Sequence, residues 1–306
     1  MVTHTQALLA IDARDENGEG PAWDAAQQRL LWSDNATGVI HEATSEGPGV
    51  WRESKHWNLS RPIGAAIPRR TGGLIVVGGT EVFTVDDAGK STPFTRLDAD
   101  PNLVTLNDAK CDPQGRLWAG TYATDLKSPR GALYRIDPDR TVTTMLDNVT
   151  ISNGLDWSPD GATFYYIDSL TRSVDGFDFD PLHGTIGNRR TVLSVDVGGP
   201  DGMAVDREGD LWVAIYGLGQ VRCYAPDGAL RACVDVSTPA VTSCAFGGLD
   251  GKDLLITSVA HMPEAVLPII GLGMDVVRQV AAAPGSGGLF VCRPGASGKP
   301  ATPFAG

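Results

Sequence analysis

Short apolar runs, each introduced by a turn rich in Asp, Gly or Pro, recur along the whole chain. The six copies read DAAQQRLLWSD (Asp24–Asp34), PRRTGGLIVVG (Pro68–Gly78), DPQGRLWAGT (Asp112–Thr121), SPDGATFYYID (Ser158–Asp168), DREGDLWVAIY (Asp206–Tyr216) and GLDGKDLLITS (Gly248–Ser258). Aligned on Trp32, Ile75, Trp118, Tyr165, Trp212 and Leu255, they are spaced by 43, 43, 47, 47 and 43 residues. A strand of small residues precedes each turn: PAWD, GAAIP, DAKCD, GLDWS, GMAVD and SCAFG. A third run follows, as in Val39–Ala43, Leu133–Ile136 and Val221–Tyr224, and a fourth in Thr92–Leu97, Val142–Leu146, Thr191–Val195 and Arg231–Val236. Apolar runs bounded by turn residues read as antiparallel hairpins. Four strands repeated every 40–50 residues mark a β-propeller.

The pattern therefore predicts an all-β chain, one domain over residues 1–306, built as a six-bladed propeller of four-stranded antiparallel blades. The sixth copy ends at its third strand, near Arg293. The segment Ala7–Asp12 (ALLAID) is expected to supply the missing outer strand, so that the N-terminal strand joins the last blade and closes the ring without leaving an edge. Two β-sandwich domains would need a linker or a composition break, and the chain has neither.

Composition narrows the function. The 306 residues carry 25 Lys+Arg against 37 Asp+Glu, a formal charge of −12, which argues against nucleic acid and an anionic membrane surface as partners. The longest apolar run, Ala265–Met274, is interrupted by Pro268 and is too short to span a bilayer. Met1–Asp12 lacks the pattern of a secretory signal. Five cysteines form neither a CxxC pair nor an even framework, so a cytoplasmic location is expected. No HExxH, GxSxG, Walker or dinucleotide fingerprint occurs.

The repeat itself points to a site. Gly and Ala fit the crowded propeller axis, so the small-residue strand is the inner one. Counting back 11 to 13 residues from the six aligned positions gives Glu19, Gly64, Asn107, Asn153, Asp201 and Thr242 or Ser243. Two carboxylates and two amides thus surround one axis at one end. Such a ring either hydrogen-bonds a column of channel water or holds a cation. The flanking motifs GEGP, ND, SNGL and PDG favour the cation, and an all-oxygen donor set suits Ca²⁺, Mg²⁺ or Mn²⁺.

These motifs, with NDAKCDPQGRLWAGT (Asn107–Thr121), GALYRID (Gly131–Asp137), NGLDWSPDG (Asn153–Gly161) and PDGMAVDREGDLWVA (Pro200–Ala214), make the chain resemble the SMP-30/gluconolactonase/LRE (regucalcin-like) family. The resemblance implies a metal-dependent hydrolase that opens a lactone by attack of an activated water on a metal-polarised carbonyl. By it, Glu19, Asn153 and Asp201 are the metal ligands and Asp201 the general base, a hydroxide on the metal being the alternative nucleophile. Asn107 becomes a substrate or outer-ligand residue. The implied cofactor is one divalent ion, Ca²⁺ first, with Zn²⁺, Mn²⁺, Mg²⁺ and Fe²⁺ as alternatives. Other readings are an ester or phosphoester hydrolase on the same metal, or a non-catalytic metal-binding propeller. Thr105 stands where sugar-lactone members often carry an Arg that contacts substrate hydroxyls, so the resemblance makes Thr105 a candidate substrate contact without that cation.

The segment 259–288 interrupts blade 6 between its second and third strands, on the face where the inner strands begin. It is apolar, has helix-like content, and is expected to form a lid over the site or a homo-oligomer contact. Val266, Leu267, Ile269, Ile270, Leu272 and Met274 would then favour an apolar-substituted lactone. His261 at the start of this segment and Asp125 in the loop 122–130 are further candidate substrate contacts.

Overall fold

The computed structural model describes residues 2–306, and six twisted sheets stand around one axis. Each is an antiparallel meander running outward from an inner strand. The inner strands are Gly18–Asp24, Ala65–Pro68, Val104–Cys111, Ser152–Trp157, Gly199–Val205 and Val241–Gly247. They pack each on the next around the ring, the last against the first. This is the six-bladed propeller that the repeat predicts. The fourth strand of blade 1, Val50–Asn58, carries no apolar run; it lies at the rim, exposed along most of its length.

Closure uses the N-terminus twice. Leu8–Ile11 pairs antiparallel with Leu289–Cys292 as the outer strand of blade 6. Thr3–Gln6 adds a fifth strand, parallel, to the edge of blade 5 at Leu230–Asp235. One segment therefore staples two blades and covers two edges.

The recurrent D-x-x-G-x-L-W phrase has a simple cause. In blade 3, Asp112 Oδ1 accepts the backbone N–H groups of Gln114 and Arg116 at 2.9 and 3.0 Å. Its Oδ2 accepts Trp118 Nε1–H at 3.1 Å. Asp206 in blade 5 does the same for Glu208, Asp210 and Trp212, each at 2.9 Å. One buried carboxylate closes the turn and satisfies the indole of the following strand, so neither polar group is buried at a loss. Trp118 then packs against Trp157 and Phe164 of blade 4, with ring centroids 5.8 and 5.1 Å apart.

Inner strands approach so closely that some positions admit only glycine. A Cβ on Gly64 would lie 2.3 Å from Asn107 O, and one on Gly154 would lie 2.6 Å from Asp201 O. Both contacts bring candidate site residues of neighbouring blades together. At the far end of the channel the tail after Cys292 crosses the axis. Lys299 Nζ donates to Trp157 O at 2.5 Å, and Phe304 is fully buried between blades 2 and 3. All five cysteines are buried and unbridged. Among the described residues, no helix is long and apolar enough to cross a membrane.

Candidate metal centre and active site

Five of the six inner strands break register at the same place. The shifts fall between Glu19 and Ala22, Leu106 and Ala109, Ser152 and Leu155, Pro200 and Met203, and Val241 and Cys244. A bulge interrupts the alternation of side chains and re-aims those inside it. Asn107, Asn153, Asp201 and Thr242 fall within these interruptions, and Glu19 borders the one in blade 1. Blade 2 keeps its register and carries Gly64 at this level.

The backbone feeding two of these strands is held by matching carboxylates. Asp34 accepts the N–H groups of Glu16 and Asn17 at 3.1 and 3.0 Å, just ahead of Glu19. Asp168 accepts those of Thr150 and Ile151, both at 2.9 Å, just ahead of Asn153. Between blades, Asn107 Nδ2 donates to Asn153 Oδ1 at 2.9 Å and to Ser152 O at 2.8 Å. Asn153 Nδ2 donates to Ser169 Oγ at 2.7 Å, and Ser169 Oγ donates to Pro200 O at 2.7 Å.

A third carboxylate lies beneath this network. Burial, then Asp201, then Asp108 raise the proton affinity of Glu19 well above the usual carboxylate range, against the Gly20 N–H. Burial and then Asp108 do the same to Asp201, against the Gly202 N–H. Asp108 itself is pushed up to about 6 by burial, which outweighs Lys110 and the Ala109 N–H. Asp108 adds to the charge that Glu19 and Asp201 already oppose in one another, an unfavourable burial that a divalent cation beside Glu19 and Asp201 would relieve. Lys110 is engaged on the channel side, with Asp156 Oδ2 at 3.3 Å and Met203 O at 3.0 Å.

Glu19, Asn107, Asn153 and Asp201 line a cavity of about 580 Å³ at the mouth of the propeller. Tyr216, whose hydroxyl keeps its proton because of burial and the adjacent Asp201 and Glu19, lines it as well. The segment between the strands of blade 6 folds into a short helix α1 (Leu267–Ile270) and a longer one, α2 (Asp275–Ala282). It contributes His261, Pro263, Val266, Ile269 and Ile270 to the wall. Leu267 is turned into the protein, and Met274 faces solvent.

Two of the sequence-based candidates are absent from the wall. Thr105 pairs with Tyr122 in the adjacent strand, and it is Tyr122 that lines the cavity. Asp125 is exposed, and its carboxylate caps its own turn through Ser128 and the N–H groups of Lys127 and Ser128. Its neighbours Thr124 and Leu126 border the cavity instead. Conversely, Asp108, Ser169 and Tyr216 escaped the repeat count. Asp108 lies inside the ND motif, and Tyr216 ends the aligned strand of blade 5, so both were within reach of a reading that followed each strand to its end.

Comparison with known proteins agrees with this architecture. Residues 17–260 match the SMP-30/Gluconolactonase/LRE-like region. Regucalcin of Danio rerio is 38% identical over 281 residues, which cover 86% of this chain and 94% of that protein. A calcium-binding protein, regucalcin, from Agrobacterium tumefaciens str. C58 superposes with a TM-score of 0.86 at 25% identity, covering 99% of both chains. A luciferin-regenerating enzyme superposes with a TM-score of 0.83 at 27% identity, covering 98% of this chain and 99% of the other.

Proposed function

Because this chain belongs to the SMP-30/gluconolactonase/LRE family, we propose that it is a metal-dependent hydrolase that opens a lactone ring in the cavity of blades 1, 3, 4 and 5. The observation that carries this reading is the meeting of Glu19, Asn107, Asn153 and Asp201 on one cavity floor, with Asp108 beneath them. Glu19, Asn153 and Asp201 hold the cation through oxygen, and Asn107 offers a fourth oxygen. The all-oxygen set favours Ca²⁺, with Mn²⁺, Mg²⁺, Zn²⁺ and Fe²⁺ as the alternatives to be tested. When bound, the cation acts as a Lewis acid on the lactone carbonyl.

The chain's own residues do the rest. Asp201 accepts a proton from the attacking water. The segment 259–288 acts as a lid that keeps bulk water from the ring. A cavity of about 580 Å³ over the donor set supports an enzyme rather than a bare metal-binding scaffold. Leu267, Ile270, Val276 and Val280 are buried within the chain itself, so the lid needs no second subunit to cover them. Five buried, unbridged thiols fit a reducing cytoplasm.

The test is a lactone panel assayed on chelated protein and again after refilling with each of the five cations. Hydrolysis that vanishes on chelation and returns with one of them is expected. Undiminished hydrolysis in the verified metal-free protein would overturn the reading.

A further inference from the structure

The cavity wall states what chemistry its occupant has. Opposite the acidic floor the lining is hydrocarbon: Pro263, Val266, Ile269 and Ile270 from the lid, with Leu126 from blade 3 and Ile151 at the start of blade 4. This roof is built into the fold. Val259, Met262, Leu267, Ile270, Val276 and Val280 form one buried cluster with Ala240. Ile270 O accepts Gly198 N–H at 3.2 Å, and Ile269 O accepts Arg172 Nη2–H at 2.7 Å. Blades 4, 5 and 6 therefore all hold the roof, and the apolar wall exists before substrate arrives.

Charge sharpens the picture. Glu16, Glu19 and Asp201 line the cavity, and among the described residues no Lys or Arg does. A divalent cation cancels Glu19 and Asp201 and leaves Glu16. A carboxylate or phosphate on the substituent, away from that cation, would find no Lys or Arg in the wall, which a low-dielectric lining penalises.

Several side-chain donors of the wall are already committed to protein partners. Asn107 spends its amide protons on Ser152 O and Asn153 Oδ1, and Ser169 donates to Pro200 O. Thr242 donates to Gly18 O and Thr124 to Asn102 O. Asn17, Tyr122, Tyr216 and His261 remain, spread around the rim and floor, while the roof offers no donor. A substituent rich in hydroxyls placed under the roof would leave them unsatisfied.

We propose, resting on the lactonase reading above, that the substrate is an uncharged lactone bearing a hydrocarbon substituent, its ring carbonyl over the acidic floor and its substituent under Val266, Ile269 and Ile270. Each fully buried methylene is worth about fourfold, so a five-carbon chain that buries about two of its carbons gains about tenfold.

The test uses γ-butyrolactone carrying hydrogen, pentyl, hydroxymethyl or carboxylate at its γ-carbon, with metal-saturated protein. Expected kcat/KM is at least about tenfold higher for pentyl than for hydrogen, no higher for hydroxymethyl, and at least about tenfold lower for carboxylate. In parallel, calorimetry compares 5-pentyl-2-pyrrolidinone with 2-pyrrolidinone, lactams of the same shape that resist hydrolysis. Pentyl is expected to bind at least about tenfold tighter, and Ile269→Asn to shrink both ratios at least about threefold. A preference for hydroxymethyl or carboxylate, or ratios unmoved in Ile269→Asn, would overturn the proposal. No turnover of any lactone, with the lactams still ranked pentyl first, would overturn the lactonase reading and uphold the assignment of the cavity.

Discussion

Asn107 of blade 3 donates to Asn153 Oδ1 of blade 4 at 2.9 Å, and neither amide is free to turn over. Pro200 O and Ser152 O are carbonyl oxygens and can only accept. Ser169 must therefore give its proton to Pro200 O, which leaves its oxygen to accept from Asn153 Nδ2. Asn107 must likewise present its amide protons to Ser152 O and Asn153 Oδ1. Two main-chain carbonyls thus set two side-chain amides, and the oxygens of Asn153 and Asn107 are left as the acceptors of the floor. The donor set is arranged before any ligand binds.

Removing the pivot of that relay tests it. Ser169→Ala leaves Asn153 Nδ2 and Pro200 O without their partner and frees the Asn153 amide to rotate. Divalent-ion affinity measured by calorimetry should fall about ten- to hundredfold, the usual cost of losing a group that orients a ligand. Unchanged affinity in a folded variant would show that the orientation does not matter.

Asp201→Asn keeps the shape of the side chain and removes both its charge and its capacity to take a proton. With metal saturation verified, kcat for the best lactone should fall on the order of 10²-fold or more. Near-normal turnover would remove Asp201 from the role of base.

Glu19→Gln separates ligand from catalyst by stability alone. In chelated protein it takes away one of three carboxylates that disfavour one another's charge. The chelated variant should melt at or above the chelated wild type. Metal at about a hundred times its wild-type Kd should stabilise the wild type by about 2.7 kcal/mol and the variant far less. Equal gains in Tm would place the cation elsewhere.

A pH-dependent stability should trace to the outer part of blade 1. His41 stacks on Trp32 with centroids 4.7 Å apart; its Nδ1 lies 2.8 Å from Glu53 Oε1 and its Nε2 2.9 Å from Asp15 Oδ1. Burial lowers its pKa, but Asp15 and Glu53 together outweigh burial and the net shift is upward. The folded state therefore binds this proton more tightly than the unfolded one. The stabilisation is complete below the ordinary histidine range and is lost as pH rises through the folded value. The Tm difference between wild type and His41→Gln should shrink from about pH 6 to about pH 9. A difference that grows with pH would contradict the ion pairs.

The fold was legible because a propeller writes its period into the chain: a turn rich in Asp, Gly or Pro, one buried aromatic or aliphatic per second strand, and small residues where strands crowd. The meeting of Glu19, Asn107, Asn153 and Asp201 at one cavity was legible too, since the repeat carries them to one end of one axis. The bulges were not. A register shift needs partner strands to define it, and counting by twos through Leu106–Ala109 misplaces whatever lies beside it. Thr105 was expected at the substrate only from its place two residues before the ND asparagine, and its partner Tyr122 reaches the cavity instead. Asp125 was misleading for another reason: an exposed Asp in a turn is most easily satisfied by the N–H groups and hydroxyl of that turn. The strand Val50–Asn58 was hidden because a rim strand needs no apolar run.

The most direct measurement is a crystal structure of the protein at full divalent-ion occupancy, with anomalous scattering from Mn²⁺ or Ca²⁺ to locate the ion. The expected result is one ion on the cavity floor, with oxygens of Glu19, Asn153 and Asp201 at about 2.0–2.6 Å and Asn107 beside them. An ion bound elsewhere at full occupancy, with these three side chains turned away from it, would contradict the account.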